Sequence, residues 1–396
     1  MEDNQPIENK KRRKVSTKLV VLGLFALIVA ALIFTEATGR TGAIQGFLNS
    51  DMHFIEAASI SYEAGSLPQL HGTGSGFFLA TRNSMRFFNT DGAELFRESH
   101  SLSTPILFGR GEYAAIAEHL GNSFSVFNTS GLAYTIATPG PIISFALSSS
   151  GFASVITSSG NNFEINAYNN LGEHLFGGLH ADQNIIPMLT QICHDGRVMA
   201  ISYLDINDAR INSFVNFALI NQSESLAQGL DDGIFAANTS NPGQIIGAMS
   251  FMDNGHLVAI SDTRLFIMDP TGGTSFEKTL DNAINKHYFG NNWFVVSYGE
   301  NLPGRQGLPP GTIAAYDSHG NQIFAIESET NLDTLTIDGN YALLGTNGRF
   351  TALSHSGETL WQHNQPAAFD AAILGNSNKI AAASPVQTQV WHRVRN

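Results

Sequence analysis

GRFTALSHSGETLW, residues 348–361, alternates small apolar residues with polar ones, breaks at Ser-His-Ser-Gly, and leaves on Glu-Thr-Leu-Trp. Alternation at Phe350, Ala352 and Leu353, followed by polar turn residues and Gly357, predicts a β-hairpin. The hairpin recurs. MRFFNTDGAELF (85–96), FSVFNTSGLAY (124–134), INAYNNLGEHLF (165–176), RLFIMDPTGGTSF (264–276) and IAAYDSHGNQIF (313–324) share its pattern. NFALINQSESL (216–226) is a degenerate copy that has lost the glycine.

Working outward, each hairpin is preceded by two further strand patterns. The first ends near Gly or Asn, as in PIISFALSSSG (141–151), and the second is apolar, as in HLVAIS (256–261) or WFVVSY (293–298). Apolar second strands occur at 76–80, 113–118, 152–157, 198–204, 257–261, 293–298, 341–346 and 379–384. Four strands per unit, repeated every ~35–50 residues, is the signature of a β-propeller. The expectation is all-β with eight blades, and seven as the fallback. The last unit, ending on VWHRV (390–394), is one strand short, and HFIEAASI (53–60) is an unassigned strand. Pairing the two would close the ring and remove its open edges.

Charge divides the chain. Residues 1–18 hold six Lys or Arg against three acidic residues, while the rest carries 15 basic and 31 acidic residues, net −16. Such an acidic body has no basic patch for a phosphate backbone, so nucleic acid is not an expected partner. LVVLGLFALIVAALIF (Leu19–Phe34) has no polar side chain and directly follows the KKRRK cluster. With its flanks it approaches the length that spans a bilayer, and the positive-inside rule puts residues 1–18 in the cytoplasm. The expected order is a basic tail (1–18), a transmembrane helix (19–35), a linker (36–52) and an extracytoplasmic propeller (53–396). A cleaved signal peptide is the rival reading. Cys193 is the only cysteine, so an internal disulfide and a multi-thiolate metal site are excluded. Its apolar neighbours suggest a core residue.

Ala352, Leu353, Gly357, Glu358 and Trp361 resemble the quinoprotein-type propeller repeat, in which the Trp and Gly mostly serve packing between blades. The chain as a whole resembles the domain of unknown function 5711 family of Gram-positive bacteria. GFFLATRNSMRFFNTDGAELF and AILGNSNKIAAASPVQTQVWHRV carry most of that likeness. The resemblance implies an envelope-facing propeller with no established activity. Quinone-dependent dehydrogenases of this repeat type often use paired cysteines, which Cys193 cannot supply, and no cofactor is expected. SHSGETLW (354–361) partly matches an Asp-box, but Ser356 stands where the Asp belongs. No histidine falls in a His-x-His or His-Glu-x-x-His pattern, and no metal site is expected.

Three long connections stand out: LDINDARIN (204–212), LDDGIFAANTSNPGQ (230–244) and GENLPGRQGLPPG (299–311). The first and third follow second strands, and the second is read as joining one blade to the next. All three would then emerge on one face of blades four to six, where long loops on a rigid scaffold commonly bind. The candidate binding residues are Asp205, Asn207, Asp208, Arg210, Asp231, Asp232, Glu300 and Arg305. The leading expectation is a non-catalytic, membrane-tethered module that binds an envelope protein or wall polymer. The alternative is an enzyme or small-ligand or sugar-binding propeller using the central channel. A channel-based activity calls for carboxylates, His or Arg converging at the mouth with shifted pKa values. A scaffold calls for a plain channel and a patch on the loop face.

Overall fold

The computed structural model describes residues 52–395, except 208–210, 222–223, 226–227, 231–232, 329–331, 367 and 376. Its strands form eight four-stranded antiparallel sheets. Blades one to seven span residues 69–99, 105–137, 142–180, 185–242, 246–279, 282–327 and 334–364. The eighth takes three strands from 370–395 and its fourth from Met52–Ser61. Glu56 bonds Gln389, Ser59 bonds Gln387, and the Tyr62 amide donates to the Val386 carbonyl, so the closing strands run antiparallel. The eight-bladed all-β architecture expected from the repeat is thus the observed one. The transmembrane helix expected at 19–35 lies outside the described residues, among which no helix is long and apolar enough to cross a membrane.

The repeated hairpins share one device. Asn89 and Asp317 end a third strand, and Asn169 and Asp269 directly follow one. The Oδ1 of each accepts the backbone N–H two and four residues on, at 2.8–3.2 Å. That Asx turn replaces ladder bonds and leaves a register shift beside each turn. Gly320 shows why the turn needs glycine. Its φ is +88°, and a Cβ would lie 2.4 Å from Phe276 Cγ on the outer strand of blade five. The glycine therefore serves both the turn and the close approach of neighbouring blades.

The core is partitioned. Within Phe54–Val394, eight apolar clusters lie one between each pair of neighbouring blades. Side chains alternate between the two faces of a strand, so Phe77 and Leu79 pack toward blade eight while Phe78 and Ala80 pack toward blade two. Burial on both faces explains why second strands read as unbroken apolar runs. Tryptophans add bonds across the same gaps, Trp293 Nε1 donating to Gly339 O at 2.8 Å and Trp361 Nε1 to Ser377 O. Cys193 is buried; its thiol donates to Asp195 Oδ1 at 2.7 Å, and burial pushes its pKa up to about 11.

One expected connection is different. Ile234–Pro242 is the fourth strand of blade four, pairing with Asn212–Leu219, rather than a joint between blades. The degenerate hairpin has an expanded turn over 220–233 with a short helical segment at Glu224–Ser225, and Ile234 packs against the core as a strand residue.

Candidate functional site

Antiparallel blades send their connections to two ends. First-to-second and third-to-fourth turns leave on one face; second-to-third turns and blade-to-blade joints leave on the other. The correction above therefore splits the expected binding set. Asp205 ends the second strand of blade four and Asn207 follows it; Glu300 lies at the end of the second strand of blade six and Arg305 follows it. Asp208, Arg210, Asp231 and Asp232 lie outside the described residues. In sequence, Asp231 and Asp232 fall between the third and fourth strands, which connect at the opposite end from the second-to-third connections beside Asp205, Asn207, Glu300 and Arg305.

The described members have local work. Asp205 Oδ1 accepts the Asn207 amide and Asn207 Nδ2, both at 2.9 Å. Arg305 Nη1 donates to the Leu280 carbonyl, and Glu300 is exposed. The 299–311 loop is built onto buried Asn282, whose Nδ2 donates to the carbonyls of Gly299 and Leu308 and whose Oδ1 accepts the Leu308 amide. Among the described residues, no hydrogen bond or ion pair joins Asp205 or Asn207 to Glu300 or Arg305. Blade five separates them with only a two-residue turn between Leu257–Ser261 and Arg264–Met268.

What that face presents instead is apolar. Among the described residues, Leu120, Ile206, Ile211, Leu308 and Val386 are exposed large apolar residues in second-to-third connections. Leu67, Ile245 and Phe369 are exposed in blade-to-blade joints. On the opposite face, among the described residues, only Leu171 does the same from a connection. Leu67 and Leu120 also hold φ at +51° and +52°, a left-handed conformation that costs an L-residue about 1–2 kcal/mol.

The channel is not plain either. At the end where innermost strands begin, a cavity of about 340 Å³ is lined by Lys286, His287, Asp333 and Asp370 among others. Asp370 accepts the amides of Leu70 and Ala371 at 2.9 Å, yet burial pushes its pKa up to about 6. Lys286 Nζ donates to the Asp333 carbonyl at 2.6 Å. At the other end the first-to-second turns of seven blades surround a cavity of about 440 Å³. His71 Nε2 donates to Gly111 O at 3.0 Å, and burial holds its pKa below the usual value. Gly109 must be glycine, since a Cβ would lie 2.0 Å from the His71 ring. Arg110 leaves blade two and crosses the lumen to Ser250 and Phe251 of blade five.

Among the described residues, a Ser-His-acid triad is not assembled at this mouth. His194 Nδ1 is shared by Ser149 Oγ at 2.6 Å and Ser150 Oγ at 3.1 Å. No carboxylate bonds the other ring nitrogen among the described residues, so the orienting acid of a nucleophilic triad is missing. Nor do three His, Cys, Asp or Glu side chains converge as metal ligands among the described residues. Sequence reasoning passed over Arg110, Asp338 and Asp370, and took His71 for an exposed polar residue at a strand end. Their signal was slight: a charged or His residue on or at the end of an apolar first strand.

The chain belongs to a family of unknown function (DUF5711), matched over residues 55–388. No curated protein matches it. Among solved structures it is similar to BamB from Moraxella catarrhalis, at 16% identity and a TM-score of 0.50, covering 86% of this chain and 98% of that one. It is also similar to Sqt1 from Saccharomyces cerevisiae, at 11% identity and a TM-score of 0.56, covering 86% and 100%. Chaetomium thermophilum Sqt1, solved bound to the N-terminus of ribosomal protein L10, matches at 9% identity and a TM-score of 0.50, covering 83% and 92%. At these identities the likeness is one of fold.

Proposed function

We propose that this member of the family is a non-catalytic protein-binding module that docks its partner on the face carrying the second-to-third turns and blade-to-blade joints. The observation that carries the reading is the segregation of exposed apolar residues: eight of the nine that sit in described connections emerge there. Scattered apolar residues are ordinary on any surface, whereas concentration on one face of a rigid disc is what an interface requires. The solved Sqt1 complex with a ribosomal protein segment supports a protein as the kind of ligand such a propeller takes. The Leu19–Phe34 stretch and its basic flank support display of the disc outside the cytoplasmic membrane, with an envelope protein or wall polymer as partner.

The test is crosslinking in intact membranes with the full-length protein. Ile206, Ile211 and Ile245 are each a little over 40% exposed, so changing all three to Asp should leave the fold intact and abolish the crosslinked partner. Leu171→Asp on the opposite face should retain it. Identical partners from the triple variant and the wild type would end the loop-face reading.

A further inference from the structure

Between Trp293–Asn301 and Thr312–Asp317 of blade six the chain takes ten residues, 302–311, where blades three, five and seven turn in two. Ordering so long a loop carries an entropic cost for each residue fixed. This loop is nevertheless tied down along its length. Asn282, at the start of the first strand and only 2% exposed, holds it from beneath. Its Oδ1 accepts the Leu308 amide and its Nδ2 donates to the Leu308 carbonyl, both at 2.9 Å. The side chain thus pairs with Leu308 as a neighbouring strand would. Gly307 permits the approach, since a Cβ there would lie 1.9 Å from Asn282 Oδ1. Asn301 Oδ1 accepts the Gly307 amide at 3.2 Å, and the Gly311 amide donates to the Tyr298 carbonyl at 2.8 Å.

Two Pro-Gly pairs set the loop's shape. The Arg305 amide donates to the Leu302 carbonyl at 3.0 Å across Pro303-Gly304, and the Thr312 amide to the Pro309 carbonyl at 3.1 Å across Pro310-Gly311. Both glycines hold positive φ, +75° and +87°. Proline followed by a left-handed glycine is the signature of a type II turn, in which the proline is extended. Leu308 and Pro309 each precede a proline, which bars the helical region, and both prolines have φ fixed at about −65°. Leu308-Pro309-Pro310 is therefore held in the polyproline II range. All three are exposed, whereas Leu302 packs into the cluster between blades five and six. Arg305, the only charged residue in 302–311, is turned onto the Leu280 carbonyl. The result is an ordered, uncharged, apolar ridge open to solvent on the docking face.

We propose that Leu308-Pro309-Pro310 is the ligand this protein presents to its partner, and that the partner receives it in a groove lined by aromatic side chains. The assignment rests on the docking face and names the chemistry of what meets it. Pairing as an added strand is closed to this ridge. Both backbone groups of Leu308 are taken by Asn282, the Pro309 carbonyl also accepts Thr312 Oγ1 at 2.6 Å, and the prolines have no N–H. Shape and apolar surface are left for recognition, and slots between aromatic rings are what a polyproline II ridge fits. Because the ridge is ordered in the free protein, docking loses little further entropy.

The test is photocrosslinking in intact membranes with the full-length protein carrying benzoylphenylalanine in place of Gln306, an exposed neighbour of the ridge. The expected adduct maps, by mass spectrometry, to a groove on the partner with at least two Trp, Tyr or Phe side chains. Pro309→Ala with Pro310→Ala should lower the adduct about tenfold. Leu308→Ser keeps every backbone bond to Asn282, so it should fold, and should lower the adduct similarly. Unchanged urea midpoints confirm that either loss is one of recognition. The variant with Ile206, Ile211 and Ile245 changed to Asp separates the two readings. Loss of adduct there, with full yield from both ridge variants, overturns the ridge as ligand and leaves the docking face standing. Loss from the ridge variants alone upholds the ridge and ends the wider face. No adduct at position 306, or attachment to a surface without aromatic side chains, would also overturn the proposal.

Discussion

Replacing Gly320 by Ala separates two reasons for a glycine that every tight turn confounds. With φ at +88°, the substitution costs about 1–2 kcal/mol in backbone strain alone. The new Cβ would also sit 2.4–2.6 Å from three atoms of the Phe276 ring on blade five. Overpacking of that kind adds about 1–3 kcal/mol, for a total of roughly 2–5 kcal/mol. Gly304 provides the control. Its φ is +75° with nothing within 4 Å of a Cβ, so Gly304→Ala should show only the strain. Urea unfolding of the full-length protein, followed by tryptophan fluorescence, reads both. A cycle with Phe276→Ala should return most of the excess at Gly320, because it removes the atoms the Cβ meets. Equal losses for the two glycine variants, or a cycle without coupling, would refute the claim that these glycines position neighbouring blades.

Two further outcomes follow from buried groups. Asp370 keeps its proton to about pH 6 when folded, against an ordinary value of 3.8. Between those limits the unfolded chain ionises first, so stability should fall as pH rises from 4 to 6 and level off above. The share of that loss due to Asp370 should be no more than about 3 kcal/mol, with Asp338, also raised to about 6, adding in the same window. Asp370→Asn should flatten that slope in urea midpoints measured across the window, and an unchanged slope would remove Asp370 as the cause. Cys193, with its thiol pushed up to about 11, should react with a maleimide at pH 7.5 at least about a hundredfold more slowly in the folded protein than in urea. Comparable rates would show that the thiol is not sealed into the interface between blades.

The ring was legible because its signals are local and repeated. An apolar run buried on both faces, followed by an Asx-Gly turn, needs only about twenty neighbouring residues to be recognised. Blade four blurred where that turn was missing. Ile234–Pro242 reads IFAANTSNP, polar in its second half and without a glycine hairpin before it, so its pairing with Asn212–Leu219 left little mark in the sequence. The charged channel was harder still. Arg110 and Asp338 each end an ordinary strand, and only closure of the whole ring places blades two and seven around one cavity. Likewise, the exposed leucines and isoleucines look like scattered surface residues until topology sorts connections by face.

The strand that completes the eighth blade imposes an order of events on synthesis. Met52–Ser61 emerges from the ribosome before any blade, but its neighbour Gln387–Arg395 is translated after all the others. Until then the early strand has no sheet to join, and the growing stack of blades carries an unpaired edge at each end. Such edges invite pairing with other chains. A ribosome that stalls late, or a transcript cut short by a few codons, would therefore release a nearly complete and adhesive molecule.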